Sequence, residues 1–200
     1  LFPYTTLFRS WLPTHRDNRW LLTPDELDKL CHQDPTKPRI VILNYPNNPT
    51  GCSYTDEELK ALAEVARKYK IILLSDEIYG ELNFEGTHIS IARHYPEGTI
   101  ISSGLSKWCG AGGWRLGFFI FPQSLGWLAD AMAAVASETF TSTSAPIQYA
   151  AVTALEDRPE MTTYLAHSRQ ILAALSTFAI YVIGHLAWGL TMIQDRLGDG

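Results

Sequence analysis

The sequence has 200 residues, 46% of them hydrophobic, and a formal net charge of -5 at pH 7. This length and apolar content suffice for a buried core, and the acidic balance argues against a nucleic-acid-binding protein, which needs basic residues to neutralise phosphates. The three cysteines lack the spacing of zinc ligands or of a disulfide framework. We therefore expect a reducing compartment and no metal site. The six histidines are scattered, and none is predicted to act in a site.

The first part of the chain predicts a helix followed by a buried strand. Residues 1–17 have neither the apolar core nor the cleavage site of a signal peptide, and we interpret them as a remnant without function. The helix begins after Thr23 as its N-cap, has Pro24 in its first turn and extends to about residue 31. A continuous apolar run at residues 39–43 then predicts a strand of a parallel sheet.

A loop rich in proline and asparagine, N-Y-P-N-N-P-T-G at residues 44–51, follows this strand. Such a loop at the carboxyl end of a strand is a candidate ligand-binding element, with a structural turn as the alternative. A helix over residues 55–69 and a buried strand at residues 71–74 come next. Asp76 and Tyr79 follow that strand and are candidates to face the same ligand, or alternatively a helix cap and a core residue.

The third predicted strand, at residues 99–101, leads into a glycine-rich loop that contains Lys107 and ends at Arg115. A desolvated lysine amine is a usable nucleophile toward an aldehyde, and a guanidinium group suits a phosphate. A phosphorylated aldehyde satisfies both groups, which makes pyridoxal phosphate the candidate cofactor. A surface loop with two solvated cations is the alternative that this stretch alone leaves open.

Taken together and in this order, N-P-T-G, D-x-x-Y and S-K followed by W-R-L-G resemble the class I/II (fold type I) pyridoxal-phosphate-dependent aminotransferases. The resemblance covers about residues 18–178. It implies an α/β fold, namely an aminotransferase-like large domain with a mostly parallel sheet, helices on both faces, and both ends incomplete. It also implies that a strand at residues 116–121 runs antiparallel to its neighbours. Helices are predicted at about residues 123–137 and 145–156 and from residue 158 onward.

The resemblance assigns roles to five residues. Lys107 forms a Schiff base with pyridoxal 5'-phosphate and moves the proton of the substrate Cα. Asp76 pairs with the pyridine nitrogen of the cofactor. Asn48 and Tyr79 hydrogen-bond its phenolic oxygen, and Arg115 binds its phosphate. The bond between Asn48 and the proline that follows is expected to be cis.

One position departs from the pattern of the family. Three residues before the lysine, where the family usually has a phosphate-binding serine or threonine, this sequence has Gly104. Ser103 or Ser106 is the candidate replacement, with the arginine of W-R-L-G and backbone amides as the alternative. Trp108 and Trp114 are interpreted as packed aromatic residues rather than as parts of the site.

The function implied is that of an aminotransferase, which moves an amino group from an amino acid to a 2-oxo acid and acts as a homodimer. The N-terminal phosphate anchor of the family and its C-terminal arginine for the substrate carboxylate have no counterpart here. We therefore interpret the chain as an incomplete fragment, and the sequence does not specify the amino acid substrate. Two alternatives stay open: a C–S or β-lyase with the same cofactor, and a non-catalytic effector domain of a transcription regulator.

The end of the chain is apolar, since residues 171–193 contain no Asp, Glu, Lys or Arg. Its length alone passes a test for a transmembrane helix. Polar residues and glycines interrupt it, however, and the resemblance fades beyond residue 178. We interpret residues 179–200 as a truncated or frame-shifted tail, and we expect a cytoplasmic protein without a membrane span.

Overall fold

The computed structural model describes residues 12–84 and 86–197, with side chains through residue 179. Most of the predicted N-terminal remnant (residues 1–11) and the last residues of the predicted tail (198–200) lie outside the described residues. Within the described range, helices and strands follow one another as α1 (Pro24–His32), β1 (Ile40–Asn44), α2 (Asp56–Lys68), β2 (Ile72–Asp76), β3 (Thr99–Gly104), β4 (Gly117–Ile120), α3 (Gly126–Thr139), α4 (Ala145–Leu155) and α5 (Pro159–Leu197).

The described strands form a mixed sheet in the order β1-β2-β3-β4. β1, β2 and β3 are parallel, and β4 pairs antiparallel with β3, which confirms the predicted α/β class with a mostly parallel sheet. The register aligns Asn44 with Asp76, and Asp76 with Ser102. Because aligned residues of neighbouring strands lie on the same face, these three residues stand side by side at the carboxyl edge of the sheet.

Both helices that follow the predicted start signals begin with a capping box. The hydroxyl of Thr23 accepts the N–H of Glu26, whose side chain accepts the N–H of Thr23, both at 3.3 Å. Thr55 and Glu58 make the same reciprocal pair at 3.2 and 2.8 Å. Each box satisfies two N–H groups that a helix start leaves without partners, and loss of such a cap costs about 1 kcal/mol. These contacts explain why α1 and α2 begin where the sequence predicts.

The main core lies on one face of the sheet, under α1 and α2. Val41, Leu43 and Leu73 point to this face and are at most 6% exposed. Leu59 and Leu62 of α2 belong to the same cluster and are at most 1% exposed. A fully buried leucine contributes about 1.5–3 kcal/mol, so this cluster holds β1, β2 and α2 together.

The opposite face is open at β1, where Ile40 and Ile42 are 61% and 68% exposed.

A second, smaller cluster joins the segment around the predicted lysine to the C-terminal helices. Its buried members are Leu105, Trp108, Leu116 and Ala151.

The two tryptophans near the lysine have different environments. Trp108 is 6% exposed, as the prediction of a packed aromatic residue requires. The same prediction is wrong for Trp114, which is 54% exposed. Trp114 ends a single 3₁₀ turn, Gly112–Trp114, in a loop whose glycines provide no side chains to cover an indole.

The apolar C-terminal segment is part of α5, which continues without interruption to Leu197. Among the described residues, no helix combines the length and the apolar character that a membrane span requires. The side chains of the predicted tail from residue 180 onward lie outside the described residues.

Candidate functional site

Asp76, the last residue of β2, is held at the carboxyl edge of the sheet from two sides. The side-chain amide of Asn44 donates to its Oδ2 at 3.1 Å, and the backbone N–H of Ile78 donates to its Oδ1 at 3.4 Å. Asp76 is half-buried. These neighbours orient the carboxylate, and no ion pair joins it to a cationic side chain among the described residues. Such a carboxylate suits a ligand atom that carries a positive charge.

The asparagine- and proline-rich loop begins at this point and turns back toward Tyr79. The bonds Tyr45–Pro46 and Asn48–Pro49 are both cis, the second as predicted. The backbone N–H of Asn48 donates to Asn44 Oδ1 at 3.0 Å, and its side-chain amide donates to the hydroxyl of Tyr79 at 3.3 Å. The structure thus brings Asn48 and Tyr79 together, although 30 residues separate them in the sequence.

Tyr79 is presented by a tight turn directly after β2. The N–H of Gly80 donates to the carbonyl of Glu77 at 2.9 Å, and a 3₁₀ turn follows from Gly80. The Nζ atom of Lys107 lies 5.4 Å from the centroid of the Tyr79 ring, within the range of a cation–π contact. Lys107 itself is exposed. Asn48, Tyr79 and Lys107 therefore form a continuous series of contacts across the ends of three parallel strands.

Arg115 occupies a left-handed backbone conformation, with φ of 56°. Its Nη1 donates to the carbonyl of Gly112 at 2.6 Å, a contact that folds the guanidinium back over the glycine-rich loop. The side chain is exposed, and among the described residues no hydrogen bond joins it to the other predicted site residues. The contact of Arg115 with Gly112 therefore does not connect it to the contact between Lys107 and Tyr79.

The structure gives a physical reason for glycine at position 104. A Cβ atom at Gly104 would lie 2.7 Å from the carbonyl oxygen of Leu116, closer than real Cβ atoms approach backbone, and a tight 3.0 Å from the Cα of Gly117. No side chain fits between β3 and β4 there. Ser103 and Ser106, the predicted replacements, are both half-buried beside it.

A buried polar network lies behind the edge, and the sequence did not predict it. The carboxylate of Glu77 accepts hydrogen bonds from Ser75 at 2.8 Å, from Ser90 at 2.6 Å and from Nε2 of His88 at 2.8 Å. Burial alone would raise the pKa of Glu77, but these hydrogen bonds outweigh burial and lower the pKa below its ordinary value. The pattern S-D-E at a strand end, with serine and histidine downstream, is the only signal of this network in the sequence.

Beside the loop lies an open cavity of about 800 Å³. Its lining includes Asn48, Tyr79, Arg19 and His88, but neither Asp76 nor Lys107. Within residues 12–84 and 86–197, no group of three or more His, Cys, Asp or Glu side chains is arranged to hold a metal ion.

Comparison with known proteins links this arrangement to one family. The sequence pattern of the family described as "Aminotransferase class I and II" matches residues 9–196. The chain is 39% identical over 132 residues to the "Probable aspartate/prephenate aminotransferase" of Thermus aquaticus, an alignment that covers 66% of this chain and 34% of the relative. It is 37% identical over 149 residues to the "Aromatic-amino-acid aminotransferase 2" of Thermococcus litoralis, covering 73% and 37%.

The solved structures that resemble this chain include aminotransferases, as do its sequence relatives. The aspartate aminotransferase from Thermus thermophilus with maleate superimposes with a TM-score of 0.72 at 32% identity, covering 80% of this chain and 40% of that one. The chain spans about a third of the length of the curated relatives that it matches.

Proposed function

Because the chain belongs to the class I and II aminotransferase family, we propose that residues 18–178 form the cofactor-binding part of an aminotransferase that uses pyridoxal 5'-phosphate. Such an enzyme moves an amino group from an amino acid to a 2-oxo acid. The observation that carries the proposal is the series of contacts from Asn48 through Tyr79 to Lys107, at the edge where Asp76 ends β2.

The donors and acceptors at this edge fit the cofactor. Asp76 offers a carboxylate to the pyridine N–H, and the Asn48 amide and the Tyr79 hydroxyl offer hydrogen bonds to the phenolic oxygen. Lys107 offers the amine that reacts with the aldehyde carbon. When bound, the cofactor supplies an electron sink for the electron pair that the substrate Cα–H bond leaves behind.

Lys107 has two tasks in this proposal. Its amine would hold the cofactor covalently until the amino group of the substrate replaces it, and the freed Nζ atom would then take and return the proton at the substrate Cα. The cation–π contact holds the protonated amine over the ring of Tyr79, whose hydroxyl accepts a hydrogen bond from Asn48. Tyr79 therefore orients two groups at once, the lysine through its ring and the asparagine through its oxygen.

Arg115 is the proposed phosphate ligand. Only its Nη1 is used by the contact with Gly112, which leaves other N–H groups of the planar guanidinium for phosphate oxygens. Ser103 or Ser106 supplies a further contact to the phosphate, since no side chain fits at position 104.

We also propose a homodimer in the cytoplasm. Apolar side chains on α3 and α4 stand in solvent, with Trp127 at 63%, Val135 at 64% and Tyr149 at 78% exposure, and a second copy is the natural cover for such a surface. The three cysteines are free, which supports a reducing compartment. Light scattering after size exclusion tests the assembly, and a monomeric mass at micromolar concentration contradicts it.

Covalent trapping tests the cofactor site directly. The chain is incubated with pyridoxal 5'-phosphate, reduced with borohydride and mapped by peptide mass. We expect a phosphopyridoxyl adduct on Lys107 that is lost in K107A and retained in K60A, a control at an exposed lysine on α2. Labelling spread evenly over several lysines, or none on Lys107, contradicts the proposed site.

The reaction class needs a second assay, in which an amino acid donor is paired with 2-oxoglutarate. Formation of glutamate supports amino-group transfer. Release of ammonia with pyruvate from a β-substituted amino acid, without glutamate, contradicts transfer and supports lyase chemistry.

A further inference from the structure

The side chain of Asn44 contacts two of the proposed cofactor ligands. It ends β1, is half-buried, and is aligned in the sheet with Asp76. Its Nδ2 donates to Asp76 Oδ2 at 3.1 Å, and its Oδ1 accepts the backbone N–H of Asn48 at 3.0 Å. A single planar amide therefore bridges the carboxylate of Asp76 and the loop that carries Asn48.

The orientation of this amide is fixed by its neighbours. Oδ1 accepts a second hydrogen bond, from the side chain of Asn47 at 3.3 Å. A flipped amide would place Oδ1 against the carboxylate of Asp76 and the NH₂ group against two donors, so all of these contacts would become repulsive. Nδ2 must therefore face Asp76.

We propose that Asn44 is a positioning residue for the cofactor, an inference that rests on the proposed function. Its amide holds the Asp76 carboxylate for the pyridine N–H, and it holds the Asn48 loop for the phenolic oxygen. One rigid ring fixes the distance between these two cofactor atoms, so a floor that binds both needs a fixed spacing between its two ligands. Asn44 contributes to that spacing because it joins the two ligands, and it is not itself one of them.

The substitution N44D tests the contact of Nδ2 with Asp76 while it keeps the contact of Oδ1 with Asn48. Aspartate has the same shape and keeps the oxygen that accepts the N–H of Asn48, but its second oxygen carries negative charge toward Asp76. The donor contact becomes a repulsion between like charges. The double variant N44D/D76N exchanges the two side chains, so a hydrogen bond forms again while the carboxylate stands on β1 instead of β2.

Thermal unfolding without cofactor measures the contact itself. Loss of one hydrogen bond to a charged group in a chain of this size predicts that N44D melts about 3–12 °C below the wild type. The double variant should recover about half of that loss or more. If N44D melts with the wild type, or if the exchange recovers nothing, the contact does not hold Asp76 and the inference is overturned.

Titration with pyridoxal 5'-phosphate and trapping at Lys107 measure the positioning. We expect a Kd for the cofactor about 10- to 100-fold higher in N44D. The double variant should also bind weakly although its stability returns, because it lacks the Asp76 carboxylate, so the comparison of N44D with the wild type is the one that tests positioning. T50V is the matched loop control, because it removes the contact of Thr50 Oγ1 with Asn47 at 2.9 Å without touching Asn44, and it should change the Kd less than about twofold.

The outcomes separate this inference from the proposed function. If the wild type is labelled on Lys107 and N44D is labelled with the same Kd, the positioning role fails and the proposed function stands. If the wild type itself gives no adduct on Lys107, the proposed function fails and the positioning role fails with it, whatever the unfolding data show about the contact between Asn44 and Asp76.

Discussion

Replacing Glu77 by glutamine tests whether the buried network behind β2 stabilises the fold. The side chain of Glu77 is 9% exposed and accepts three hydrogen bonds, from Ser75, Ser90 and His88. Glutamine keeps the shape and an oxygen for the two hydroxyls, but it places an NH₂ group against Nε2 of His88. Losing one hydrogen bond to a charged group costs about 1.5–3 kcal/mol. For a chain of this length, E77Q should therefore melt about 3–12 °C below the wild type.

The pH dependence of this difference has a defined sign. The hydrogen bonds to Glu77 hold its pKa below the ordinary glutamate value of 4.5, in spite of burial, which acts in the opposite direction. A carboxylate with a lowered pKa in the folded state stabilises the fold above its unfolded pKa and loses that effect as the pH falls. The difference between wild type and E77Q should be complete at neutral pH, and it should shrink as the pH falls below 4.5.

The assay is thermal unfolding followed by circular dichroism, from about pH 7 to about pH 3, so that the series passes well below the ordinary pKa of glutamate. E64Q is the control, because Glu64 is an exposed glutamate on α2 and its substitution should change stability by less than about 0.5 kcal/mol. If E77Q and the wild type melt together at neutral pH, the network does not stabilise the fold. If their difference stays constant as the pH falls, the stabilisation does not come from the charge of Glu77.

Three further substitutions probe the packing through urea midpoints at neutral pH. G104S places a side chain 2.7 Å from the carbonyl oxygen of Leu116 and should cost about 1–3 kcal/mol, and an unchanged midpoint would show that β4 moves away freely. Y45F removes the hydroxyl that accepts the buried N–H of Ile91 at 2.7 Å and should cost about 1–3 kcal/mol, unless water reaches that N–H. L62A creates a cavity at a position that is 1% exposed and should cost about 2–5 kcal/mol, and a loss below that range would mean that the core collapses around the gap.

The elements that the sequence predicted are those with local signals. Thr23 and Thr55 mark helix starts because the capping contacts involve residues only three positions apart. The strands were located by apolar runs, but β2 continues to Asp76 and β3 to Gly104, beyond the apolar residues. Polar residues at these ends join the ladder because the neighbouring strand offers backbone partners, which hydropathy does not reveal.

In the site, too, the residues with local sequence signals were predicted and those that depend on the fold were not. Asn48, Tyr79 and Lys107 belong to short motifs, so their roles were predicted before the fold was known. Asn44 was included only as part of a turn-forming loop, because its contact with Asp76 depends on the register between β1 and β2. His88 was treated as a scattered histidine, because its carboxylate partner lies 11 residues earlier and only the fold of the intervening segment brings them together.

The sequence S-D-E at the end of β2 explains why two adjacent acids have different tasks. Side chains alternate across a strand, so Ser75 and Glu77 lie on one side, where their own hydrogen bond of 2.8 Å joins them, and Asp76 lies on the other. On the first side, the carboxylate of Glu77 accepts hydrogen bonds from Ser90 and His88, so it stabilises the fold and is not available to a ligand. On the second side, Asp76 receives its side-chain contact from the neutral amide donor of Asn44, and no cationic side chain in the described part of the chain forms an ion pair with it. Such a carboxylate at a half-buried strand end favours a ligand that arrives with a positive charge, and for this reason E77Q should change the melting temperature, whereas N44D should also change the affinity for the cofactor.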